Sequence, residues 1–164
     1  MASFPTTFLV ADDGSSESDM AFDTALALAH ATGASLALVH VKSVAPSVVG
    51  TMLTPTHEQR LREQGQALIE QRVAQASARG LELGSTSVRL ERRIEAAVRD
   101  VAVELGAGML IVGARGASAG QRYILGDLSM RLVRDAPCSV LVVHAEPAET
   151  PHGSTRSTRD DDIR

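Results

Sequence analysis

Alternation is the feature that most constrains what this chain can fold into. Short apolar runs stand at Phe8–Ala11, Ser35–Val41, Leu83–Leu90, Met109–Val112 and Ser139–His144, and between them lie longer stretches whose apolar residues recur at helical spacing. A brief apolar run bounded by turn residues reads as a strand covered on both faces. Strands that alternate with helices pair in parallel, because each crossover must carry the chain back along the sheet, and it does so with one hand. The order reads β-α-β-α-β-α-β-α-β. The expected fold is α/β: a Rossmann-like single domain with a five-stranded parallel sheet and helices on both faces.

The helical stretches carry their own punctuation. Ser18, Phe22, Ala25, Leu26 and Ala29 share one face, Ser16 or Ser18 is placed to cap that helix, and Gly33 closes it. From His57 to Arg79, Leu61, Leu68, Ile69, Val73 and Ala76 form an apolar face, while Glu58, Arg62, Glu63, Gln66, Glu70 and Arg72 read as the wet one. Ile94, Ala97, Val98, Val101, Ala102 and Leu105 make a third helix, ended by Gly106, and Pro137 stops the fourth. The connection Lys42–Pro55 mixes Ser, Pro, Gly and Thr with a few apolar residues, and a loop of that length is expected to be functional. Residues 1–144 thus read as one domain. Residues 145–164 lack periodicity, carry Pro147, Pro151 and Asp160–Asp162, and read as a flexible tail.

Composition excludes several function classes. Phe4, Phe8, Phe22 and Tyr123 are the only aromatic residues, too few for the stacking platforms of single-stranded nucleic-acid binders. A net charge of −4 supplies no basic field for nucleic acid or an anionic membrane. No apolar run approaches the roughly 20 residues of a membrane span, and no leader is legible, so the cytoplasm is the default location. Cys138, the single cysteine, reads as a buried, inert thiol.

The stretch that carries chemistry follows the fourth strand. Gly113-Ala114-Arg115-Gly116 is followed by nine residues and then Gly126-Asp127-Leu128-Ser129, where helical spacing resumes. A strand that ends in glycines and hands over to a helix offers backbone N–H groups beside the positive end of a helix dipole, a place for phosphate. In parallel sheets the ligand lies beyond the carboxyl ends of the strands, where strand order reverses. The turn Asp12–Ser15, the end of the second strand at Val41 and the glycine loop all fall at that edge.

These stretches resemble the universal stress protein family over about Thr7–His144. The spacing of Gly113, Gly116 and Gly126 is similar to the family's nucleotide-binding glycine motif; Asp13-Gly14-Ser15 matches its turn after the first strand, and His40-Val41 its second-strand end. Asp135–Val143 resembles its last helix end and strand. The resemblance implies an adenine nucleotide, ATP or a relative, bound at Ala11, Asp13, Val41, Gly113, Arg115, Gly116, Gly126, Asp127, Leu128 and Ser129. It implies a carboxylate at Asp13 for the ribose, main chain near Val41 for adenine, and the glycine loop for ribose and phosphates. It also implies a homodimer through the last strand. The corresponding function is a stress-response binding module, not an enzyme, with slow ATP hydrolysis at most; no nucleophile–base pair is legible.

Asp127 departs from the pattern, which places Ser or Thr there. A carboxylate about 4 Å from a phosphate charge costs on the order of 4 kcal/mol at an effective dielectric near 20, roughly a thousandfold in affinity. Arg115, Arg122 and Arg131 are near in sequence to compensate, a magnesium ion bridging Asp127 to the phosphates is a second route, and Ser129 retains a hydroxyl. The other reading makes Asp127 a helix-start residue that occupies the anion position itself, leaving a dimeric interaction protein with a degenerate site. Glu91-Arg92-Arg93 replaces the glycine turn usual after the third strand and reads as a solvated turn.

Overall fold

The computed structural model describes residues 4–44, 54–115 and 126–144. Its strands are β1 (Thr7–Ala11), β2 (Ser35–Ser43), β3 (Ser85–Glu91), β4 (Met109–Gly113) and β5 (Ser139–Val143), and its helices α1 (Ser16–Thr32), α2 (Pro55–Ala78), α3 (Ile94–Glu104) and α4 (Asp127–Asp135). They form one five-stranded sheet in the order β3-β2-β1-β4-β5, parallel throughout. The Rossmann-like α/β architecture read from the alternation is the architecture observed.

Side-chain alternation along the strands divides the core in two. Phe8 and Val10 of β1 face the side covered by α1 and α2, where Phe22, Leu26, Leu36, Leu38, Ile69 and Ile111 join them. Leu9 faces the opposite side with Val39, Val98, Val101, Leu110, Val112 and Leu132, covered by α3 and α4. Burying each such Leu, Val or Phe stabilises the fold by about 1.5–3 kcal/mol. With Phe8 and Phe22 the only fully buried aromatics among the described residues, the core is aliphatic as expected.

Several local expectations are corrected. Ser15, rather than Ser16 or Ser18, caps α1: its hydroxyl accepts the Ser18 N–H at 3.2 Å. α2 begins at Pro55, not His57, with Thr54 as its cap; proline suits a first helical position because its missing N–H would have no partner there. β2 continues past Val41 to Ser43, and β3 starts at Ser85 rather than Leu83, so the presumed loop 42–55 gives up residues at both ends. The remainder of that loop, the tail 145–164, Gly116 and Arg122 lie outside the described residues.

The largest correction concerns α2. Its buried residues are Gly65, Ile69, Arg72 and Ala76. Arg72 is 2% exposed, whereas Val73, assigned to the apolar face, is 41% exposed. Gly65 permits the close approach: a Cβ there would stand 2.6 Å from Val88 Cγ1 and 3.1 Å from His40 Cδ2. The helix is rotated so that a guanidinium, not an isopropyl group, enters the interior.

Candidate functional site

β1 is the central strand, with β2 on one side and β4 on the other, so strand order reverses between β1 and β4. The turn after β1 therefore meets the ends of both neighbours. β2 outruns β1: Ala11 pairs with Val39, and β2 continues to Ser43. That overhang gives Asp12 its partners. Its N–H donates to the Val39 carbonyl at 3.0 Å, and its own carbonyl accepts from His40 Nδ1 at 2.6 Å.

The Asp12 carboxylate is spent inward. Oδ1 accepts from the Gly14 N–H at 2.8 Å and the Ser18 hydroxyl at 2.7 Å, and Oδ2 accepts from Arg72 Nε at 2.6 Å. Arg72 also pairs with Asp19 and lies over the Phe22 ring, 5.2 Å from its centroid. Burial works against the Arg72 charge, but its hydrogen bonds to Asp12 and Asp19 prevail and raise its pKa above the ordinary arginine value. The adjacent Asp13 is half-buried and accepts the Ser15 N–H at 3.0 Å. Gly14 between them adopts φ +79°, which lets the chain turn sharply into α1. The two carboxylates leaving β1 thus do different work, and no cluster of three His, Cys, Asp or Glu able to hold a metal occurs among the described residues.

Burial holds the His40 pKa below the ordinary histidine value, against the hydrogen bond to the Asp12 carbonyl. Because that carbonyl only accepts, Nδ1 carries the ring proton, and Nε2 is a buried acceptor without a partner among the described residues. His40 is a hydrogen-bonded structural histidine, as its place on an apolar strand suggests. Val41 beyond it is buried and paired in register with Arg89.

At the β4 end the glycine loop is anchored at both margins. The Ala114 N–H donates to the Val143 carbonyl at 2.8 Å, and the Gly126 N–H to the Ala114 carbonyl at 2.8 Å. The Arg115 N–H and guanidinium both go to Glu17, a 6% exposed carboxylate in the first turn of α1. The backbone donors expected to be bare at 114, 115 and 126 are therefore engaged within the protein. Gly113 has a packing reason for its identity: a Cβ there would fall 2.9 Å from the Glu17 carbonyl carbon. Ser129 is buried, and its hydroxyl donates to the Gly113 carbonyl at 2.8 Å, so its proton points into the protein rather than toward a ligand.

What the junction offers an anion is the start of α4. Gly126 is the N-cap, and no side chain caps the helix. The first-turn amides at Asp127, Leu128 and Ser129 lie beside the positive end of the dipole. Asp127 is exposed in that turn. Neither described compensating arginine pairs with it: Arg115 is held by Glu17, and Arg131 lies 3.6 Å from Glu95. Glu91, Arg92 and Arg93 are exposed, as read, but Glu91 is not part of a turn: it is the last residue of β3, in register with Ser43, and Arg93 precedes α3 with its Nε donating to Glu95 at 3.3 Å.

Sequence reasoning missed Arg72 and Glu17, yet both carry the signal. Arg72 lies three residues after Ile69 and four before Ala76, on the apolar stripe; Glu17 lies four before Ala21. Residue type overrode spacing in both readings. Cys138 is half-buried, and burial pushes its thiol up, consistent with an inert role.

Comparison with known proteins gives one consistent family. The Universal stress protein family profile matches residues 6–144. A putative universal stress protein of Staphylococcus haemolyticus is 30% identical over 140 residues, covering 84% of each chain. A solved universal stress protein family member from Burkholderia pseudomallei is 28% identical with a TM-score of 0.64, covering 85% of this chain and 96% of its own. A universal stress protein solved in complex with cAMP is 25% identical with a TM-score of 0.57, covering 87% of this chain and 98% of its own. The chain is a member of the universal stress protein family.

Proposed function

We propose that this chain binds an adenine nucleotide in the crevice between the β1 turn and the β4–α4 junction, and acts in stress response as a binding and regulatory module. The observation that carries this reading is the α4 N-terminus, uncapped by any side chain, at the sheet's switch point beside the turn that presents Asp13. In this proposal Ala11, Asp13 and Val41 serve the nucleoside, and Gly113, Arg115, Gly126, Asp127, Leu128 and Ser129 the phosphates, together with Gly116, which is assigned from the sequence motif alone. The relative that holds cAMP supports the same ligand class. ATP and a magnesium ion at Asp127 belong to the proposal in their widest form, as do a cytoplasmic location and a homodimer formed through the edge strand β5. In this reading residues 1–144 are the binding domain and 145–164 an appended tail.

The test is to denature freshly purified protein and identify what it releases by mass spectrometry. About one adenine nucleotide per chain supports the reading. Gly116→Val is then expected to abolish binding while leaving the fold intact. The second reading, an interaction protein with a degenerate site, is favoured by the engagement of Ala114, Arg115 and Gly126 within the protein. An empty protein with no calorimetric response to adenosine, AMP, cyclic AMP, ADP or ATP, with and without magnesium, selects it.

A further inference from the structure

We infer that Glu17 is a specificity-determining residue, and that by holding Arg115 it turns the crevice toward adenosine ligands bearing one phosphate and away from di- and triphosphates. This rests on the nucleotide-binding reading above and narrows it to a ligand class.

The first turns of α1 and α4 both reach Gly113. Glu17 packs against it so closely that a Cβ has no room, and Ser129 donates to its carbonyl at 2.8 Å. Glu17 and the start of α4 therefore serve one small region of the molecule. Among the described residues the cation within it is Arg115, and Glu17 takes both its guanidinium and its main-chain N–H. A buried carboxylate on a guanidinium cancels most of the field that the arginine projects. Arg131, one turn into α4, is directed to Glu95 of α3. Lys42 stands on β2, separated from this junction by β1.

What remains attractive among the described residues is the α4 dipole, equivalent to roughly half a positive charge. Asp127 lies exposed in that same turn and draws on it. Such a field accommodates a single phosphate through the first-turn amides. Each further phosphate adds negative charge with no cation left among the described residues to meet it, next to a carboxylate. Glu17 acts through Arg115, so its effect scales with the charge on the ligand, whereas a purely structural role would weaken all ligands alike.

The experiment is calorimetric titration of the full chain with adenosine, AMP, ADP and ATP in magnesium-free buffer. AMP is expected to bind about tenfold or more tighter than ADP and ATP. Glu17→Gln keeps an oxygen for the Arg115 N–H while removing the charge, and is expected to shrink the AMP-to-ATP ratio by about tenfold. Arg115→Gln, which leaves the Glu17 charge without its guanidinium, is expected to enlarge it. Should Glu17→Gln unfold, Asp127→Ser at an exposed position is expected to move the ratio in the same direction. ATP binding as tightly as AMP, a ratio that a folded Glu17→Gln leaves unchanged, or, where that variant unfolds, a ratio that Arg115→Gln fails to enlarge, overturns the inference while leaving nucleotide binding standing. No heat with any ligand, adenosine included, overturns both.

Discussion

Arg72 Nε donates to Asp12 Oδ2 at 2.6 Å, and both side chains are withdrawn from solvent. This pair joins the last third of α2 to the residue that follows the central strand, at the turn that carries Asp13. Removing one partner of a buried ion pair leaves the other charge without compensation. Arg72→Met is therefore expected to cost about 3–5 kcal/mol of folding stability. Adding Asp12→Asn is expected to recover part of that loss, because Asn retains an oxygen for Gly14 and Ser18. Urea unfolding of the single and double variants checks both statements; additive losses would show that the charges do not interact.

His40 links stability to pH. Its folded pKa lies below the value near 6.5 that it has when unfolded, because burial disfavours the charged ring. The unfolded state then binds the proton more readily, so stability rises with pH through this range. The contribution is fully present above the unfolded pKa and is lost as pH falls from there toward the folded one. Unfolding free energies measured from pH 8 down to about 5.5 are expected to decline below about 6.5. In His40→Gln that part of the slope is expected to vanish, and a slope that persists there would assign it to other groups.

Gly113 tests whether packing or ligand access dictates glycine at the β4 exit. An added Cβ would stand 2.9 Å from the Glu17 carbonyl carbon and 3.0 Å from its carbonyl oxygen, which are backbone atoms that cannot rotate away. Gly113→Ala is expected to destabilise the fold by about 1–3 kcal/mol with no ligand present. Thermal unfolding of the ligand-free variant checks this, and an unchanged midpoint would return the glycine to a ligand-access role.

Asp127 sets the sign of the phosphate interaction. Asp127→Ser is expected to tighten ATP binding by about tenfold, less than an unscreened contact implies, because the carboxylate is exposed and screened. Weaker binding in the variant, with magnesium present, would identify Asp127 as a metal-bridging residue instead.

The fold was legible because apolar periodicity is a local property. Phe8–Ala11 and Met109–Val112 are too short for helices and too apolar for loops, and helical spacing through Ile94–Leu105 admits one buried face. Gly33 and Gly106 closed their helices where read, both at positive φ. The convergence of the β1 turn, the β2 end and the β4 exit on one edge was legible for the same reason: alternation sets the sheet parallel, and a parallel sheet puts these turns on one edge.

What the chain's residues determined by themselves, then, are the elements, their order, the family and the edge on which the turns after β1 and β4 converge. Tertiary structure alone decided how charges are allotted within that site. Arg72 and Asp12 are 60 positions apart and meet at 2.6 Å; Arg115 meets Glu17 across 98 positions. A charged side chain in an amphipathic stretch is read as solvated, since burial is costly until a partner is found. That partner lies on another element, at a position set by β2 outrunning β1 and by α1 pressing on Gly113. Register and packing, which no local window contains, determined which carboxylates are consumed in holding the crevice together.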